Sequence, residues 1–236
     1  AEQGFSAVEL DLRDDRSVQQ AVSAILEQCG GALGALVNNA GYGQAGAMED
    51  LSRDLLRQQF EVNLFGTLDL TRRFIPVFRS QGYGRIVNIS SVSGMVALPF
   101  FGAYSASKFA LEAATDALRV ELDGSGVWVS LVRPGPIRTS FRENLVTLAS
   151  ESLDREGSAF ARLYAQRIAP DKVPESEGDR FAAPPEAVAA RVRHALESGR
   201  PRRKYLVTLP AQLLSFMRRF APTAVNDRFV GAMVRK

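Results

Sequence analysis

The sequence has a single cysteine, Cys29, and a single histidine, His194, among 236 residues. One cysteine excludes an intrachain disulfide and suits a reducing, cytoplasmic compartment. One cysteine with one histidine also excludes a self-contained cysteine-rich zinc site, so no metal is expected. A Ser-His-Asp triad is excluded as well, because the histidine lies on a late, distant element with no matching nucleophile turn. Long apolar runs are missing: none approaches the roughly 18 residues of a membrane span. The opening "AEQGFSAVEL" lacks a basic stretch followed by an apolar one, so no signal peptide is read. There is no Gly/Ser- or Pro-rich linker, solenoid-length repeat or low-complexity tract, which leaves one domain over residues 1–236 as the expectation. An excess of one charge is absent too. Net charge is +3, and the only dense basic clusters are "RPRRK" (200–204) and "MRRF" (217–220). Neither interleaves aromatics with basic residues along a stripe, so no nucleic-acid partner is expected.

What is present is an alternation of Val/Ile-rich runs with longer amphipathic stretches. Strands are expected at 5–12 ("FSAVELDL"), at "ALGALVNN", at 85–90 ("RIVNIS"), at 126–134 ("GVWVSLVRP") and at 204–209 ("KYLVTL"). Helices are expected at 15–29, at 52–80 with Ser52 as N-cap, at 104–122, and at 184–198 with proline at its start. Strands alternating with helices predict an α/β fold, a doubly wound parallel sheet covered on both faces. Such sheets bind ligands beyond the carboxyl ends of their strands. That rule singles out Asp11, Asn38 to Gly41, Ser90 to Gly94 and Pro134 to Thr139.

After the second of these strands, Gly41, Gly43 and Gly46 spell G-x-G-x-x-G, the pattern of a dinucleotide pyrophosphate loop. Such a loop needs its helix to begin within the glycines, so that free N–H groups meet the phosphates. Here the best N-cap is Ser52, and Glu49 and Asp50 would place negative charge beside a bound anion. The phosphate-loop reading therefore fails, and Gly43 and Gly46 are read as loop flexibility at a substrate rim.

Other letters are more informative. Asn38-Asn39-Ala40-Gly41 stands at a strand end, and Tyr104-Ser105-Ala106-Ser107-Lys108 opens a helix. Ser91 precedes Tyr104 by 13 residues, Asn63 lies in "EVNLFG" on the long helix, and "PGPIRT" (134–139) follows a strand. In this order and on these elements the motifs resemble N-N-A-G, Y-x-x-x-K, the catalytic serine, the helix asparagine and the P-G-x-x-x-T loop of the classical short-chain dehydrogenase/reductase family. Asp11 matches the acidic residue that ends the family's third strand. The family's own glycine loop, T-G-x-x-x-G-x-G, closes its first strand. The resemblance thus implies an N-terminally truncated chain without the first two strands and their helices, strands that would sit between "FSAVELDL" and "ALGALVNN".

The residues themselves support the chemistry. A phenol with a pKa near 10 exchanges protons poorly at neutral pH. Lys108, four residues on, shares a helix face with Tyr104, and its ammonium is expected to lower the tyrosine. Tyr104 is then the acid in carbonyl reduction and the base in alcohol oxidation, with Ser91 holding the substrate oxygen. By resemblance, Lys108 also binds the nicotinamide ribose and Asn63 holds a water that relays protons to it. Asn39, Ala40 and Gly41 line the ribose, Pro134, Gly135, Ile137 and Thr139 form the nicotinamide loop, and Asp11 accepts from the adenine amino group. Plainer readings stand beside these. Tyr104 and Lys108 alone would be a surface helix pair, and Asp11 a turn or cap residue. Ser90, Ser93 and Ser105 read as loop or helix-surface residues, and His194 as part of a solvated helix face.

"LPFFGAYSASKFALEAATDALRVEL" and the tail after "PPEAV" resemble the branch of 17β-hydroxysteroid and retinol dehydrogenases and bacterial NADPH-dependent aldehyde and ketone reductases. This implies an oxidoreductase for bulky apolar carbonyls or alcohols, with NADP(H) favoured and NAD(H) the alternative. Met95, Val96, Leu98, Phe100 and Phe101 line its pocket or pack the core, and residues 142–183 form a mobile lid. The resemblance implies a homodimer or homotetramer built on helices 52–80 and 104–122. The amphipathic tail, 210–236, packs on its own domain or a partner copy, or touches a membrane surface peripherally. A non-catalytic fragment or binding module on the same scaffold is the alternative function.

Overall fold

A computed structural model describes residues 5–167 and 181–235; the part of the expected lid at 168–180 lies outside the described residues. Its sheet is parallel, in the order β1 (Ala35–Asn38), β2 (Gly84–Ile89), β3 (Val127–Arg133), β4 (Lys204–Leu206). Leu36 is aligned with Ile86, Ile86 with Val129 and Val132 with Tyr205. All six residues of β2 are buried, as a strand flanked on both sides and covered on both faces must be.

The alternation of side chains along the strands divides the core into two layers. Ile86, Val127 and Val129 face α1 (Asp15–Gln28), α3 (Thr67–Gln81) and α4 (Gly102–Glu121), meeting Val18, Val22, Phe74 and Phe78. Val87, Ile89 and Val132 face α7 (Pro185–Glu197) and its Ala195. The long helix expected at 52–80 has three parts: α2 (Arg53–Phe60), a π-helical turn (Glu61–Gly66) and α3. Ser52 caps α2 as expected, its hydroxyl accepting from the Leu55 N–H at 3.2 Å. Helices α5 (Phe141–Ser152) and α6 (Ala161–Arg167) follow β3, and α8 (Leu209–Phe220) and α9 (Thr223–Arg235) end the chain.

One expected strand does not form. Residues 5–11 pair with no strand among the described residues, and a strand exists only through its ladder. The segment is nonetheless anchored. Leu12 packs on the first core layer, and its carbonyl approaches Gly66 so closely that a Cβ there would stand 2.1 Å away.

Candidate active site

Three parallel strands end at the same edge, and their following loops build the site. After β1, the loop through Tyr42 is clamped by two side chains one helical turn apart. Asn63 accepts from the Tyr42 N–H at 3.1 Å and donates to its carbonyl at 2.9 Å. Gln59 donates to the same carbonyl at 2.9 Å and accepts from the Gln44 N–H at 2.6 Å. Asn63 lies in the π-helical turn, and such turns re-aim side chains at functional sites. Its amide also donates to Ser107 Oγ at 3.1 Å, and Ser107 donates to the Tyr104 carbonyl at 2.8 Å. The asparagine thereby joins the β1 loop to α4.

Ser91 follows β2 and caps a short 3₁₀ turn (Val92–Gly94), accepting from the Ser93 N–H at 3.1 Å. Its neighbour Ser90 donates to Glu112 at 3.0 Å, and Glu112 forms a buried ion pair with Arg133, whose Nε lies 2.7 Å from the carboxylate. The β2 loop is tied to the β3 loop by the Val92 N–H to the Pro134 carbonyl, 2.8 Å. Ser90, Ser93 and Ser105 are thus not surface residues: all three are buried, the last of them on α4 itself.

Tyr104 and Lys108 enter from the first turns of α4, both buried. Lys108 Nζ donates to the Ile89 carbonyl at 2.9 Å and lies 5.8 Å from the centre of the Tyr104 ring. Burial lowers Lys108 from 10.5 to about 8. Burial pushes the Tyr104 phenol up, opposed by its hydrogen bond with Ser91. The expected depression of the tyrosine by its lysine is therefore not what this geometry gives. Desolvation disfavours the phenolate, and Phe141 adds to it, its ring 5.3 Å from that of Tyr104.

Gly41 lies tight against two polar side chains of the site. A Cβ there would stand 3.0 Å from Asn63 Oδ1 and 3.5 Å from Lys108 Nζ, so bare backbone lies beside both polar groups. A nicotinamide ribose fits such a cradle of bare backbone, lysine amine and asparagine amide. Asn39 and Ala40 lead into it. Gly43 and Gly46 are packing positions rather than flexible ones: a Cβ at Gly43 would press on Phe141 at 2.9 Å, and Gly46 has φ +154° and pairs with Phe101.

The remaining expected residues fall as follows. Gly135 packs so tightly on Thr208 that a Cβ would stand 2.1 Å from Oγ1. Ile137 bridges to Ala183, and Thr139 Oγ1 accepts from the Phe141 N–H at 3.4 Å. Asp11 is engaged by the Arg13 guanidinium at 2.8 Å, which holds its carboxyl at about 2. His194 is exposed but bonded, its Nδ1 2.9 Å from the Tyr205 hydroxyl. Gln59, Ser107, Glu112 and Arg133 escaped the sequence reading. Only Gln59 carried a signal, one turn before Asn63 on the same helix face.

Comparison with known proteins agrees with this geometry. The family described as short chain dehydrogenase matches residues 1–148. An uncharacterized oxidoreductase, YbbO, of Escherichia coli is 40% identical over 228 residues, covering 96% of this chain and 78% of its own. Human 17-beta-hydroxysteroid dehydrogenase type 1 is 36% identical over 233 residues, 98% of this chain and 68% of its own. A short chain dehydrogenase from Burkholderia cenocepacia, solved in complex with NADP, superposes with TM-score 0.71 at 27% identity, covering 94% of this chain and 79% of that one. On a parallel sheet whose strand ends gather Asn63, Ser91, Tyr104 and Lys108, this likeness is decisive: the chain belongs to the short-chain dehydrogenase family.

Proposed function

We propose that the protein transfers hydride between NADP(H) and the carbonyl or alcohol carbon of a bulky apolar molecule, with NAD(H) as the alternative cofactor. The reading rests above all on one observation: Lys108 and Tyr104 are both buried at the strand ends, beside Ser91, Asn63 and the bare backbone of Gly41. When bound, the nicotinamide supplies or accepts the hydride. In the reducing direction Ser91 donates to the carbonyl oxygen and orients it. Tyr104, kept as a neutral phenol by burial, gives its proton to that oxygen as carbon accepts hydride. Lys108, at about 8, exchanges protons close to neutral pH and restores the phenol. Asn63 holds the β1 loop against the cofactor's ribose and steadies α4 through Ser107. Pro134, Gly135, Ile137 and Thr139 shape the wall at the nicotinamide, and Asp11 meets the adenine end.

The substrate's apolar character is supported by a cavity of about 560 Å³ walled by Met48, Met95, Val96, Leu98, Phe100 and Val230. Met95, Val96, Leu98 and Phe100 follow Ser91 in sequence, while Gly102, two residues before Tyr104, closes the same wall. Helices α5 and α6 act as the described part of the lid, and the helical stretch from α2 through α3, together with α4, as the homodimer or homotetramer surface. Among the described residues no helix is long and apolar enough to cross a membrane. The exposed thiol of Cys29 suits a reducing cytoplasm.

The test is oxidation of NADPH and NADH by the full-length protein over a panel of steroids, retinoids, aldehydes and ketones. Tyr104→Phe should lower turnover by about 10² or more, the usual worth of a positioned acid. Near-normal rates in that variant would remove Tyr104 from the mechanism. No turnover with either cofactor on the whole panel would instead favour a binding module.

A further inference from the structure

The tail carries a feature that neither the fold nor the proposed chemistry uses. One side of α8 is committed to the body. Ala211 is buried beside Gly135, Leu214 packs on the cluster of Met95 and Val96, and Arg218 Nε donates to the Met95 carbonyl at 3.3 Å. The opposite side carries Leu209, Leu213, Phe216 and Phe220, which are 75%, 56%, 64% and 65% exposed. At about 100° per residue these four positions fall within an arc of about 60°, directly opposite Ala211, Leu214 and Arg218. They form one narrow apolar stripe along the helix, and the rings of Phe216 and Phe220 lie 4.8 Å apart within it.

Charge is distributed as unevenly as polarity. Residues 201–236 hold eight of the 29 lysines and arginines but one of the 26 aspartates and glutamates, a net charge of +7. The preceding 200 residues therefore carry −4. Arg202 and Arg203 are exposed ahead of β4, Arg218 on α8 and Arg228 on α9.

We propose that α8 docks on the surface of an anionic bilayer. The stripe of Leu209, Leu213, Phe216 and Phe220 would lie at the boundary of headgroups and acyl chains, and the basic groups of the tail would lie against lipid phosphates. An in-plane helix that is apolar on one narrow face and cationic around it is the form such surfaces bind. A second copy of this chain is the less fitting occupant, because a twofold contact through this face would bring together two tails that each carry a net charge of +7. The same tail walls the apolar cavity, through Asn226 and Val230 of α9.

The experiment is flotation of the full-length protein with phosphatidylcholine vesicles and with mixed phosphatidylcholine–phosphatidylglycerol vesicles, at low and high salt. The protein should float with the anionic vesicles alone, and less so as salt rises. The double variant Leu213→Ser/Phe216→Ser should bind at least about tenfold more weakly, since it removes apolar insertion and leaves the charge. Both positions are exposed, and an unchanged thermal midpoint confirms that the variant is folded. Failure to float with anionic vesicles overturns the proposal, as does binding that the double variant does not weaken. Light scattering provides the third outcome: a dimer that the double variant dissociates, with no vesicle binding, would assign the face to a second copy. None of these readings depends on turnover, so they stand or fall apart from the proposed chemistry.

Discussion

Replacing Lys108 with methionine should expose what a buried ammonium costs this fold. Lys108 is 5% exposed, and its amine contacts the Ile89 carbonyl at 2.9 Å. Its pKa falls from 10.5 to about 8 because burial penalises the charged form. At about 1.36 kcal/mol for each pKa unit, holding the charge in the folded state at pH 7 costs about 3 kcal/mol. The sign follows from proton counts. Between pH 8 and 10.5 the unfolded chain binds the proton and the folded chain does not, so stability rises with pH across that window. Below pH 8 both states are protonated and the full cost remains. Methionine keeps the length of the side chain and removes the charge, but leaves the Ile89 carbonyl without its donor, a loss of about 1–3 kcal/mol. At pH 7 the variant should therefore be as stable as the wild type or more so, by up to about 2 kcal/mol. The sharper measurement is the difference between the two proteins in urea unfolding at several pH values. Other titrating groups cancel in that difference, and the wild type should gain about 3 kcal/mol on the variant between pH 8 and 10.5. Parallel stability–pH curves would refute the buried, depressed lysine. So would a Lys108→Met variant several kcal/mol less stable at pH 7. Turnover should be lost whichever way stability moves, the usual trade between an active site and its fold.

Glu112→Gln should cost about 3–5 kcal/mol in urea unfolding, because Arg133 is left charged and largely buried without its partner. The same change should slow turnover, since Ser90, bonded to Glu112, carries the loop that presents Ser91. Tyr164→Phe removes the acceptor of the Ala47 N–H, 2.7 Å away in a buried contact, and the donor to Asp50. It should lower stability by about 1–3 kcal/mol. Limited proteolysis should then cut first near α6, and unchanged cutting there would show that the hydroxyl does not hold this helix.

The parts of this protein that were legible in its sequence are those decided locally. Strands β2 and β3 announce themselves as apolar runs, and α4 as an apolar stripe. Ser52 caps α2 because a hydroxyl before a helical pattern has few better uses. Of the four polar residues of the candidate site, Ser91 stands directly after a strand, where a parallel sheet leaves its loops open to ligand, while Asn63, Tyr104 and Lys108 were singled out by the resemblance of their motifs. What was not legible depends on partners. "FSAVELDL" has the alternation of a strand, but a ladder needs a neighbour, and residues 5–11 have none among those described. Ser90 and Ser93 carry side chains typical of loops, and Ser105 was read as a helix-surface residue, yet all three are buried: Ser90 bonds to Glu112 of α4, and Ser105 lies on the inner side of α4 itself. Tyr104 shows the same limit in its electrostatics. The i, i+4 lysine argues for a lowered phenol, but Phe141, 37 positions away, helps to remove the water that a phenolate needs, and desolvation wins. Asn63 marks the boundary between the two cases. Its identity and order in the chain were readable, but the π-helical turn that aims it at Tyr42 was not, because nothing in "EVNLFG" departs from an ordinary helix. The extra residue is held by contacts on both sides: Leu12 against Gly66 at one, the Tyr42 backbone and Ser107 at the other. A functional bulge of this kind is a tertiary decision, and only the packed molecule could show it.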